Sequence, residues 1–203
     1  MNREKERVNN GLITISVKGL TNKGIRLRIR RELVDAGFRV IAIRPGEIML
    51  QQMEPLLNPE PLLGAWGVFL LNEREQQLME HAKNELANSL DQHLLPLRSL
   101  LKHLSKQTHC SYDQLNDLFL VTEGMTFGRY VVLQRLDKAI ERLTYTRATV
   151  ADIARQTGYQ DEAHLIRQLD AERGLLPAHF LALRDSRMSQ EPHRLITAPV
   201  GIT

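Results

Sequence analysis

His103, His109 and Cys110 are of the residue types that bind transition metals, and they fall close together in the chain. Zinc sites take sulfur and nitrogen ligands at characteristic short spacings, and these three residues match no standard template. Ser, His and Asp residues for nucleophilic catalysis are present, but no Gly-x-Ser-x-Gly elbow frames a serine. No Walker or Rossmann glycine pattern offers a phosphate cradle either. The expectation is therefore that the chain is not an enzyme and holds no metal or cofactor.

A different chemistry is written in "VADIARQTGYQDEAHLIRQL", residues 150–169. A glycine inside a helix costs about 1 kcal/mol relative to alanine, so Gly158 reads better as a left-handed turn between two short helices. Ala154 leaves room for the second helix to cross the first, and Ile153 and Leu165 would meet under the crossing. That is the layout of a helix-turn-helix, whose second helix is shaped to enter a DNA major groove. The pattern occurs twice. Leu115, Phe119, Gly124 and Tyr130 recur 50 residues later as Leu165, Leu169, Gly174 and Phe180, while His109 stands 49 residues before the turn glycine, Gly158. One long helix, "FGRYVVLQRLDKAIERL", would join the two motifs. A helix of ~20 residues spans near 30 Å, close to the roughly 34 Å between successive major-groove faces.

The elements around these motifs follow from periodicity. Residues 12–17, "LITISV", alternate and are β-branched, so they read as a strand. Asn22 caps a helix through "GIRLRIRRELVDA", closed by Gly37. "FRVIAIR" and "EIMLQQ" read as strands joined by the Pro45–Gly46 turn, "NPEPLLGAW" as a short helix and "GVFLL" as a last strand. The order β-α-β-β-α-β over about residues 11–72 predicts an α+β ferredoxin-like domain. From Asn72 the pattern turns helical. Residues 73–93 read as a linker helix with Leu78, Ala82, Leu86 and Leu90 along one stripe, better suited to packing between domains than to a dimer seam. Pro96 marks the first turn of the next helix, an all-α domain spans 94–184, and 185–203 lacks sustained periodicity and reads as a flexible tail.

Composition sets bounds. The chain has 203 residues, 42% hydrophobic and 25% charged, as in ordinary soluble domains. It contains no apolar run near the roughly 18 residues that a membrane helix needs, and "MNREKERVNNG" is not a signal peptide. A single cysteine suits a reducing cytoplasm. A cytoplasmic location and no membrane partner are expected.

Residues 94–184 resemble the DNA-binding domain of AraC/XylS-type transcription regulators. The resemblance rests on "SYDQLNDLFLVTEGMTFGRYVVLQRLDKAIERL", on "TVADIARQTGYQDEAHLIRQLDAERGLLPAHF", and on the Gly-x-x-Pro-x-x-aromatic ending of the latter. The N-terminal part resembles a heavy-metal-associated domain in degenerate form. Where that family carries Met-x-Cys-x-x-Cys, this loop reads "GLTNKGI", so that Leu20 takes the methionine position and Asn22 and Ile25 those of the cysteines. Without thiolates, soft-metal binding there is not expected.

The resemblance implies double-stranded DNA as the partner, with RNA polymerase as a candidate second one, and leaves monomer or homodimer open. It places Ser111, Tyr112, Gln114 and Asn116 on the first reading helix, and Gln160, Glu162, His164 and Arg167 on or just before the second. These types suit base edges: Gln and Asn pair with adenine, Arg with guanine, and Glu with the cytosine amino group. Ser111 also suits a helix cap that can hold a phosphate. The charge balance runs the other way. Residues 111–184 carry nine Lys and Arg against ten Asp and Glu, a net of −1, and Asp117 and Asp170 stand where the family often has Arg and Lys. Residues 1–72 carry eleven against seven, a net of +4, with Arg26, Arg28, Arg30 and Arg31 on one helix. That helix reads as a solvated face or as an auxiliary phosphate contact. The alternative to a sequence-specific regulator is an interaction module that keeps the helix-turn-helix fold but binds a protein or small ligand.

Overall fold

The computed structural model describes residues 12–51, 58–92 and 95–194. They form two compact units, one of the described residues up to 85 with 104–130 and one of those in 86–103 with 131–194.

In the first unit, β1 (Leu12–Lys18), α1 (Lys23–Asp35), β2 (Arg39–Arg44), β3 (Glu47–Gln51), α2 (Glu60–Ala65) and β4 (Phe69–Leu70) follow in that order. The four strands make a small antiparallel sheet in the order β2-β3-β1-β4. Ile13 of β1 lies opposite Leu50 of β3, and Ile15 opposite Ile48. Strand alternation puts all four on one side, and Ile15, Ile48 and Leu50 pack there with Ile29 and Leu33 of α1 and Leu63 of α2. Each fully buried leucine there contributes about 2 kcal/mol relative to exposure. Asn22 caps α1, its Oδ1 accepting from the N–H groups of Gly24 at 2.7 Å and Ile25 at 3.3 Å. Arg26 folds back to donate from Nη1 to the Leu20 and Thr21 carbonyls, and Arg28 lies over the Trp66 ring at 5.7 Å. Arg30 and Arg31 are exposed. The α1 surface is thus partly engaged within its own domain.

The helices beyond are α3 (Glu73–Gln92), α4 (Leu97–Gln107), α5 (Tyr112–Glu123), α6 (Phe127–Tyr145), α7 (Val150–Gln156), α8 (Glu162–Arg173) and α9 (Pro177–Arg194). At the start of α3, Asn72 and Glu75 exchange hydrogen bonds, Glu75 N–H to Asn72 Oδ1 at 2.9 Å and Asn72 N–H to Glu75 Oε2 at 3.0 Å. The buried stripe of α3 is Met79, Ala82, Leu86 and Ser89, whereas Leu78 and Leu90 are half-buried. This corrects the expected leucine stripe. Steps of four residues drift about 40° each around a helix of 3.6 residues per turn, so four such positions cannot hold one face, while steps of three and four can.

In the second unit, Leu136, Ala139 and Leu143 of α6 pack with Ile153 and Ala154 of α7, Leu165 and Leu169 of α8, and Phe180 of α9. Ile153 of α7 and Leu165 of α8 share this cluster, and both are fully buried, as is Ala154. The chain end differs from expectation. Helix α9 continues to Arg194 rather than stopping near residue 184. Arg187 lies over the Tyr145 ring at 4.2 Å, and Ser189 Oγ donates to the Asp185 carbonyl at 2.8 Å. A helix propagates cheaply once nucleated, and no Pro or Gly interrupts residues 181–190. The rest of the tail expected as flexible lies outside the described residues.

Candidate nucleic-acid interface

Two turns built alike present the two candidate reading helices. In the first, Thr108 Oγ1 donates to the Leu104 carbonyl at 2.9 Å, His109 adopts φ +53°, and the Cys110 N–H returns to the Ser105 carbonyl at 3.3 Å. In the second, Thr157 Oγ1 donates to the Ile153 carbonyl at 2.6 Å, Gly158 adopts φ +72°, and the Tyr159 N–H returns to the Ala154 carbonyl at 2.9 Å. Each pair of equivalent residues is 49 apart. The caps that follow, Ser111 and Asp161, are 50 apart. Gln160 is thus the extra residue of the second turn, an exposed side chain between the turn and the cap. Both reading helices end on left-handed glycines, Gly124 and Gly174.

On α5 most of the expected side chains have structural duties. Ser111 and Gln114 form a capping box, with Gln114 N–H to Ser111 Oγ at 3.2 Å and Ser111 N–H to Gln114 Oε1 at 2.9 Å. Asn116 is half-buried, and its Oδ1 accepts from the Phe127 N–H at 2.8 Å, which serves the start of α6. Tyr112 is exposed at the first turn, its ring 6.4 Å from that of Phe127. Beneath it, Phe119 packs on Phe127 and Tyr130, both at 4.9 Å between centroids.

On α8 the expected residues separate. Asp161 caps the helix by accepting from the His164 N–H at 2.7 Å. Glu162 and Arg167 are exposed, with Ala163 and Asp170 beside them. His164 is half-buried and stands edge-on to the Tyr159 ring at 5.3 Å, on the side that Gln168 shares. Gln160 and Glu162 thus flank the helix start, Arg167 lies on its outer face, and His164 turns inward. Ala163 is exposed on the same face as Arg167. It lies four residues before Arg167 and so one turn away.

The electrostatics of this unit are largely balanced internally. Arg155 pairs with Asp152 at 2.6 Å, Lys138 with Asp91 at 2.7 Å and Glu141 at 3.0 Å, and Arg173 with Asp137. The hydrogen bonds to Asp91 and Glu141 raise the Lys138 ammonium above its ordinary pKa. Among the described residues, no group of three or more His, Cys, Asp or Glu could hold a metal, and no helix is long and apolar enough to cross a membrane.

Residues 104–182 match a family model described as a helix-turn-helix domain. This stretch carries both turns and the helices that follow them. Similar solved structures include a transcriptional regulator with an AraC-type DNA-binding domain from Chromobacterium violaceum, at 19% identity, covering 56% of this chain and 96% of that one with a TM-score of 0.48. The DNA-binding domain of AdpA, a global transcriptional factor in complex with a target DNA, is 18% identical over 54% of this chain and 96% of its own, with a TM-score of 0.46. The C-terminal domain of the response regulator yesN from Fusobacterium nucleatum is 24% identical over 49% and 97%, with a TM-score of 0.42. No curated protein matches the chain. The matched region includes α5, α7 and α8, and thus every candidate reading residue from Ser111 to Arg167.

Proposed function

We propose that the chain is a transcription regulator that binds duplex DNA sequence-specifically through both helix-turn-helix motifs. The observation that carries this reading is the pair of matching turns, each followed by a capped helix with an exposed first turn. Such a helix start offers N–H groups to phosphate and side chains to base edges. On α8, Arg167 suits the O6 and N7 acceptors of guanine, Glu162 a cytosine amino group and Gln160 an adenine edge. On α5, Tyr112 is the most available side chain, Ser111 and Gln114 contribute at the cap, and His164 and Asn116 act mainly from behind by fixing their helices.

Domain boundaries at about 11–72, 73–93 and 94–184 accompany this proposal. The strand order β2-β3-β1-β4 with two intervening helices supports a ferredoxin-like N-terminal domain. In the loop that resembles a degenerate heavy-metal site, Asn22 serves as a helix cap and Ile25 packs against the apolar cluster. RNA polymerase is the further partner proposed.

Selection of bound duplexes from a random pool at low salt tests the reading. It should enrich two half-sites about 10 base pairs apart. An unenriched pool would favour the interaction-module reading, which the net charge of −1 over residues 111–184 also supports, since non-specific DNA affinity comes mainly from phosphate neutralisation.

A further inference from the structure

The second turn borders a cavity whose lining includes the candidate reading residues Gln160 and His164. Its volume is about 490 Å³, within the range of small-molecule sites, and all its lining residues belong to the second unit. Leu97 at the start of α4, Val132 of α6 and Tyr159 are among the apolar lining, and Arg135, Arg155 and His164 supply nitrogen atoms. No lining residue is acidic.

Arg135 is the unusual member. It is only 4% exposed, its Nε donates to the Thr157 carbonyl at 3.0 Å, and its guanidinium lies 4.7 Å from the Tyr159 ring centroid. Its Nη2 is buried without an acceptor. A buried charged donor left unpaired is costly, and a planar guanidinium fork pairs best with a carboxylate. Arg155 adds a second cation, although Asp152 partly neutralises it at 2.6 Å.

We propose that this cavity is a binding site for a small carboxylate with an apolar body, the carboxylate set against Arg135 and the body against Leu97 and Val132. Inorganic phosphate would leave that apolar wall unfilled. Burial holds the Arg135 guanidinium below its ordinary pKa, and an anion beside it would offset that penalty. The cavity lies on the His164 and Gln168 side of α8, so an occupant would press on the reading helix from within.

Calorimetry and thermal melts of the full chain without DNA test this, so failure here leaves the DNA reading intact. The probes are benzoate, isovalerate and the neutral isostere benzamide. At least one acid should bind saturably and raise the melting temperature, with benzamide at least about tenfold weaker than benzoate. Val132→Phe fills the cavity from a half-buried position, and where it melts cooperatively it should weaken the acid by at least about tenfold. Leu97→Phe, at the start of α4, serves where the first variant does not fold. Overturning results are no binding of either acid at millimolar concentration, benzamide as tight as benzoate, or acid affinity unchanged in a folded, filled variant.

Discussion

His109 and Gly158 occupy the same left-handed place in the two turns, at φ +53° and +72°. His109 is the only non-glycine among the described residues with a positive φ. His is one of the types enriched there, at a cost of roughly 1–2 kcal/mol. The second turn cannot accept that compromise. A Cβ on Gly158 would lie 2.2 Å from the Leu95 carbonyl oxygen, a backbone atom with little freedom to yield.

Gly158→Val should therefore destabilise by more than the conformational cost alone, about 3 kcal/mol or more once the Leu95 clash is added. His109→Gly should change stability by about 1 kcal/mol or less, because relief of the left-handed side chain is offset by a looser unfolded chain. Urea melts of the full-length variants give both values. Equal effects at the two positions would mean that the Leu95 carbonyl does not set the second turn apart from the first.

Asn116→Ala removes the side chain that accepts from the Phe127 N–H at the start of α6. Loss of such a cap costs about 1 kcal/mol, within a range of roughly 0.5–2. The expected result is a lower melting temperature with base preference unchanged in a DNA titration. A changed base preference with unchanged stability would move Asn116 from positioning to reading.

Much of this architecture was legible because its signals are local. Asn22, Gly158 and Ser111 act within a few residues of their own positions, and the 50-residue recurrence of Leu115 and Phe119 reports two copies of one core. The offset of 49 at His109 was legible too, but its cause, the insertion of Gln160, needed the matching hydrogen bonds on both sides. The duties of Gln114 and Asn116 were hidden. A polar side chain at a helix surface looks the same in sequence whether it faces a base or caps a neighbouring helix. The inward turn of His164 toward Tyr159 was hidden for a similar reason, since the aromatic that receives it lies across the turn. The α3 stripe failed because residue type was weighed above helical phase.

Tyr130 and Tyr159 both have phenols pushed up to about 12, chiefly by burial. Glu123 adds to the effect at Tyr130, while at Tyr159 Arg135 opposes it and Glu172 and Asp137 reinforce it. A pKa raised on folding favours the native state below the unfolded value and loses that contribution as pH rises toward the folded one. Stability should therefore fall between about pH 10 and 12. Tyr159→Phe should flatten part of that fall, and tyrosinate absorbance should lose a late-titrating step. Identical pH slopes for the variant and the parent would show that Tyr159 ionises as easily folded as unfolded.

The reading helix can be tested at its outer face, where Arg167 and Asp170 are both exposed. A bidentate contact from Arg167 to guanine would make Arg167→Ala cost about 1–3 kcal/mol on the selected site and relax preference at one base pair. A phosphate contact would instead weaken all duplexes alike and lower the salt slope by about one unit. Asp170→Lys should strengthen binding to every duplex, because it replaces a charge that phosphate repels with one that it attracts. Titrations against selected and scrambled duplexes at two salt concentrations separate these outcomes. If neither substitution alters affinity for any duplex, α8 does not lie at the DNA. The matching turns would then present a surface for some other partner.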